Sequence, residues 1–172
     1  GADVNVKDHI NRTPLFFACC NGYVDIVELL IENEADANFG NNCKKSPLHI
    51  ACRKGYFDIV KILIENNADL NVKNNYGQTP LHVACEIGCV NIVKLLIKNE
   101  ADINKKSKYV KTPLYTTYGN MELPIEYKDY LYVYVKLYTT PLYLACINDN
   151  FDIIKILIKN KTITSNDLKI YK

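Results

Sequence analysis

Apolar residues come in paired short runs along this chain, each pair followed by a polar stretch rich in Asn, Asp and Lys. Residues 46–67 serve as the pattern. Leu48, Ala51 and Cys52 fall at i, i+3, i+4, which places them on one face of a helix. Ser46 stands before this run as a cap, and Pro47 opens it where a missing N–H costs nothing. Gly55 ends it at a position suited to left-handed backbone. A second helix begins at about Asp58. Ile59, Ile62 and Leu63 share one face, Val60 and Ile64 widen the stripe, and Asn66 and Asn67 close it. The segments linking one pair to the next read as turns. Each unit is therefore a helical hairpin with a projecting loop.

The unit repeats. Thr13-Pro14-Leu15, Ser46-Pro47-Leu48, Thr79-Pro80-Leu81 and Thr112-Pro113-Leu114 stand 33 residues apart, and Thr140-Pro141-Leu142 follows the last of these after 28. Two short helices cannot bury their apolar faces alone, so units of this period stack. The expected divisions are a repeat tail over 1–5, full repeats over 6–38, 39–71 and 72–104, an irregular segment over 105–139, a last repeat over 140–165 and the start of a further repeat over 166–172. Each full repeat ends on a near-copy of the opening Ala2-Asp3-Val4-Asn5, as in Ala35-Asp36-Ala37-Asn38.

These features together resemble the ankyrin repeat family: the 33-residue period, the Thr-Pro-Leu-His phrase at Thr79–His82, the Ala-Cys pair after it, the Gly before the second helix and the Ala-Asp-x-Asn tail. The resemblance covers 1–111 continuously and returns at 140–160. It implies an all-α solenoid of stacked helix-turn-helix repeats with projecting β-hairpin-like loops, or fingers. It also implies binding of other proteins through finger tips and inner helices, with no cofactor. Some positions depart from the pattern. Where Gly77 precedes Gln78-Thr79, the other copies carry Asn11, Lys44 and Val110, so the fingers holding Lys44 and Val110 are expected to be looser or differently shaped. Asp149 replaces the inter-helix Gly, and Phe16, Tyr115 and Tyr143 replace the His.

Residues 115–139 depart most, and eight of the thirteen tyrosines lie in 115–143. Two readings stand. In a degenerate repeat, Pro124 opens a helix with Tyr127, Tyr130, Leu131, Tyr134 and Tyr138 along one face. In an insertion, 130–135 is β-prone and irregular. The helical spacing sets the first slightly ahead; the missing finger before Thr140 supports the second.

Composition narrows the function. No run of 18 apolar residues exists in the sequence, so no membrane span is expected. The opening is not a signal peptide and lacks Met, which leads us to expect a piece of a longer protein. Cys19, Cys52, Cys85 and Cys146 share one slot in their repeats, roughly 8–10 Å apart, too far for a disulfide, which needs Cα atoms within about 7 Å. They read as small buried apolar residues. Free thiols suit a reducing compartment, cytoplasm or nucleus. His49 and His82 are likewise one repeat apart and cannot share a metal; the resemblance implies that each bonds backbone. Asp25, Asp58 and Asp152 are expected to cap outer helices. No catalytic or metal-binding motif is present, and no enzyme activity is expected.

Charge adds the one functional pointer. The net charge is only +2, yet it is unevenly placed. Over 1–111 the fingers and inner helices carry eleven cations against the two acids Asp8 and Glu86, while the outer helices and tails carry eleven acids against three lysines. Caps and tails account for the acids; nothing in the fold demands the cations. The expected contact surface is Lys7, His9, Ile10, Arg12, Asn42, Cys43, Lys45, Arg53, Lys54, Lys73, Asn75, Tyr76, Gln78, Glu86, Ile87, Lys108, Tyr109 and Lys111. The leading expectation is a module binding an acidic segment of another protein. A regulatory or targeting segment of a larger enzyme or channel is the alternative. A nucleic-acid binder is a weaker one, because the cations are mostly lysines on loops. A simple solvated face is the bland reading of the same charges. Uncovered apolar faces at both ends are expected to make the chain self-associate or fray.

Overall fold

The computed structural model describes residues 2–108, 110–113, 132–135 and 138–160, the two four-residue stretches as backbone alone. Its helices are α1 (Pro14–Asn21), α2 (Val24–Glu32), α3 (Pro47–Lys54), α4 (Phe57–Glu65), α5 (Pro80–Ile87), α6 (Val90–Lys98), α7 (Pro141–Ile147) and α8 (Phe151–Lys159). Strands β1 (Val110–Pro113) and β2 (Tyr132–Val135) lie between α6 and α7 in the chain and pair antiparallel, Val110 opposite Val135.

The inner helices α1, α3, α5 and α7 start alike. The hydroxyls of Thr13, Ser46, Thr79 and Thr140 accept the N–H of Phe16, His49, His82 and Tyr143 at 3.2, 3.4, 3.5 and 3.3 Å. Proline follows each cap. α1, α3 and α5 end on the left-handed caps Gly22, Gly55 and Gly88; α7 ends one residue earlier, capped by Asn148 at φ -102°, with the left-handed Asp149 (φ 54°) in the glycine slot. Inner helix packs on inner helix from α1 through α7, and outer on outer from α2 through α8. Leu15, Leu48 and Leu81 fill the same slot and are fully buried, as are Ala51, Ala84 and Ala145 one turn on. Each such Leu contributes about 1.5–3 kcal/mol.

The outer helices add Ile59, Val60 and Leu63 from α4, and Ile92, Val93 and Leu96 from α6. By contrast α2 buries only Val27 and leaves Tyr23, Ile26 and Leu29 about half exposed. Phe151 and Ile158 of α8 are exposed as well. Asp25, Asp58 and Asp152 are not caps, contrary to the expectation from sequence. The cap positions are Tyr23, Tyr56 and Asn150, none of which makes a side-chain cap bond, and the three carboxylates sit inside the first turn. They act there through charge on the helix dipole.

Each finger is closed by one backbone bond four residues long: Asp8 N–H to Arg12 O at 3.1 Å, Asn41 to Lys45 at 3.1 Å and Asn74 to Gln78 at 3.0 Å. The Ser107 N–H makes the same closing bond, at 2.8 Å, but to Thr139 O, 32 residues on. Consistently, α7 packs directly on α5 and α8 on α6. Tyr134, placed on a helix face by the degenerate-repeat reading, lies in strand β2; Tyr127, Tyr130 and Leu131 fall outside the described residues.

The finger holding Lys44 is not looser, contrary to the expectation from sequence. Lys44 takes the left-handed backbone (φ 54°) that Gly77 takes (φ 75°), and the Asn41 carboxamide holds it there. Asn41 Oδ1 accepts from Cys43 and Lys45 N–H at 3.0 and 3.1 Å, as Asn74 Oδ1 does from Tyr76 and Gln78 at 2.9 and 3.0 Å. These local bonds outweigh the steric cost of a side chain at that φ.

Candidate interaction surface

The fingers are linked into one ladder. Asn42 N–H donates to Ile10 O at 3.1 Å, Asn75 N–H to Cys43 O at 3.0 Å, and Lys108 N–H to Tyr76 O at 2.8 Å. Side chains reinforce it: Asn75 Nδ2 reaches Asn42 O at 3.2 Å and Lys73 Nζ reaches Lys106 O at 3.0 Å. Finger roots also meet the inner helices. The Arg12 guanidinium lies 4.2 Å from the centre of the Phe17 ring, and Gln78 Nε2 donates to the Glu86 carboxylate at 3.0 Å. Fingers and inner helices thus present one shared face.

Of the residues expected on this face, Lys7, His9, Asn42, Cys43, Lys54, Lys73, Asn75, Ile87 and Lys108 are exposed. Ile10, Arg12, Lys45, Arg53, Tyr76 and Glu86 are half-buried. Gln78 differs: it is buried, bonded to Asn74 and Glu86, and so positions Glu86 instead of meeting a partner. Tyr109 lies outside the described residues, and Lys111 is described only as a backbone position in β1. Sequence reasoning missed Phe17, which is 41% exposed under Arg12, and Ile147, which is 46% exposed at the end of α7. Ile147 occupies the slot of Arg53 and Glu86, which had been chosen, so the period was its signal; Phe17 shares its slot with the buried Ile50 and Val83, and no cue in the sequence marked it.

Several cations converge. Arg12 pairs with Asp8 at 2.7 Å. Burial alone would raise the Asp8 carboxyl, but hydrogen bonds from Arg12 and Ile10 and the Arg12 charge hold it below the usual range. Desolvation pushes the Cys20 thiol up against the opposing pull of Lys54 and Arg12, which flank it. At His49 desolvation lowers the imidazole, and the charges of Arg53 and Lys45 add to it. Arg12 and Lys45 hold the same finger slot in consecutive repeats, and Arg53 and Lys54 end α3, which packs on α1, so the four form one cationic zone across the first two repeats.

Beneath this face the histidines are occupied. Ser46 N–H donates to His49 Nδ1 at 3.2 Å, which leaves Nε2 as the protonated nitrogen and donor to Gln78 O at 2.9 Å. His82 repeats this with Thr79 N–H at 3.2 Å and Thr139 O at 3.1 Å. Burial pushes both imidazoles down to about 4. The seven cysteines are free thiols. Desolvation pushes Cys19 up to about 12 and raises Cys52 and Cys85 as well, so none of these three is primed as a nucleophile. Among the described residues no three His, Cys, Asp or Glu side chains gather as a metal site, and no helix is long and apolar enough to cross a membrane. What this face offers is charge, amides and apolar contact.

A family model described as ankyrin repeats (3 copies) matches residues 1–74, 36–107 and 67–122, and one described as ankyrin repeat matches 138–167. The chain belongs to the ankyrin repeat family. Ankyrin repeats are generally protein–protein interaction modules without catalytic activity.

Proposed function

We propose that this chain is a non-catalytic module that binds an acidic segment of another protein through its fingers and inner helices. One observation carries this reading. Lys45, Arg53 and Lys54 cluster with Arg12 on the shared face, and no acid among the described residues lies within ion-pair distance of the first three. The fold does not need them there, since α1 ends in Cys20 and Asn21 at the slots of Arg53 and Lys54 and forms equally well. An uncompensated cationic zone steers an acidic partner and fixes its register. Free thiols support a reducing compartment, cytoplasm or nucleus. The half-exposed Tyr23, Ile26 and Leu29 support self-association of the isolated chain.

The array is best divided as four stacked repeats, with 28 extra residues set into the turn of the fourth finger. The Ser107 to Thr139 closing bond supports this division.

The test is capture from source-cell lysate on immobilised parent chain beside an Arg53→Glu, Lys54→Glu variant of unchanged circular dichroism. A protein with a contiguous acidic segment, held by the parent, lost by the variant and displaced by its own acidic peptide, is the expected result. Partners retained by the variant would place binding elsewhere; displacement by an oligonucleotide instead of the peptide would favour nucleic-acid binding.

A further inference from the structure

The shared face changes character between its second and third repeats, on both of its sides. The finger residue before each capping Ser or Thr is Arg12, then Lys45, then Gln78, then Thr139. The inner helices show the same break. α3 ends in Arg53 and Lys54, α5 ends in Glu86 and Ile87, and α7 ends in Ile147. Ile87 and Ile147 are each 46% exposed on neighbouring helices, and Tyr138, beside Thr139, is 58% exposed. The Glu86 carboxylate, held at 3.0 Å by the buried Gln78 amide, stands at the border. A further acid of a bound partner would meet repulsion there.

We propose that the face takes one segment of another protein in two parts, acidic residues against Arg12, Lys45, Arg53 and Lys54, and aliphatic residues against Ile87 and Ile147. This rests on the acidic-partner reading above and adds its polarity and composition. Charge complementarity selects the first part; the exposed isoleucines, with an acid guarding the approach, select the second. Two inner-helix steps of roughly 8–10 Å each separate α3 from α7, which an extended segment at about 3.3 Å per residue spans in roughly five or six residues.

The experiment is selection from a random peptide display library on the whole chain, run in parallel on Arg53→Glu, Lys54→Glu and on Ile87→Asp, Ile147→Asp. All four side chains are at least partly exposed, so the core is untouched; circular dichroism checks each variant. The parent should enrich peptides in which acids precede or follow aliphatic residues at that spacing. The first variant should lose only the acidic preference and the second only the aliphatic one, each weakening the leading parent peptide by about tenfold or more. Peptides acidic throughout, with affinity indifferent to Ile87→Asp and Ile147→Asp, would overturn the two-part face and leave the acidic-segment reading standing. Peptides without acidic enrichment, or no enrichment at all, would overturn both.

Discussion

Three exposed charged residues hold left-handed backbone that glycine holds elsewhere in the array: Glu34 at φ 65°, Lys44 at φ 54° and Glu100 at φ 68°. Replacing all three by Gly should stabilise the chain. The left-handed region costs an L-residue about 1–2 kcal/mol through crowding of Cβ. Glycine gives back about 0.5–1 kcal/mol of that, because it loses more backbone freedom on folding. Glu34 and Glu100 follow the C-termini of α2 and α6, where a negative charge meets the negative end of the dipole, so their removal adds a few tenths of a kcal/mol. None of the three makes a side-chain hydrogen bond or ion pair among the described residues, so no contact is lost. The net gain is about 1 kcal/mol per site. The sites lie in different turns and share no partner, so the gains should add to about 3 kcal/mol, or roughly 6–12 °C in melting temperature for a chain of this size. Thermal and urea unfolding followed by circular dichroism measure this. The matching Ala variants should give nothing, because Ala keeps the Cβ. A triple Gly variant that melts no higher than the parent, or Ala variants that stabilise as much, would refute the backbone explanation.

Other outcomes follow from the same structure. His49 and His82 have folded pKa values near 4 against an ordinary 6.5. The unfolded chain therefore binds their protons first as pH falls, and stability that is full above pH 6.5 should decline by roughly 1 kcal/mol per histidine per pH unit towards pH 4; His49→Gln and His82→Gln should flatten the slope of urea midpoint against pH between 6.5 and 5. Gly77→Ala would set a Cβ 2.8 Å from the Lys108 nitrogen at φ 75°; it should cost about 2 kcal/mol and speed hydrogen exchange at the Lys108 amide, whereas unchanged exchange would mean that the finger ladder tolerates it. Replacing 109–138 by a Tyr-Gly pair restores the four-residue finger closure; helical signal should persist and stability should hold or rise by up to about 2 kcal/mol from the shorter loop, while a loss of helical signal would mean that the excised residues are themselves a helical repeat.

The repeat bodies were legible because every cue for them is local: a hydroxyl, a proline, apolar residues at i, i+3, i+4 and a left-handed stop. The fingers were less so. Lys44 argued against a regular finger only while the Asn41 carboxamide, which holds the turn, went unread. The Asp25, Asp58 and Asp152 carboxylates looked like caps because helix starts are uncertain by a residue or two. Gln78 looked exposed because nothing local reveals its bond to Glu86 eight residues on. Of the two Thr-Pro-Leu-Tyr phrases only the second is followed by the Ala-Cys pair, a difference whose weight the sequence alone did not set. Packing sets it: the slot of Cys52 and Cys85, fully buried between helices, receives Cys146 from the second phrase and would receive Tyr118 from the first. A tyrosine there overfills a close-packed site.

The most direct measurement is amide chemical-shift mapping of the full chain titrated with the acidic segment of a captured protein. Shifts should gather at Arg12, Lys45, Arg53 and Lys54 and extend to Ile87 and Ile147, fading as salt is added. Shifts confined to the outer helices α2, α4, α6 and α8, or independent of salt, would contradict an acidic partner on the shared face.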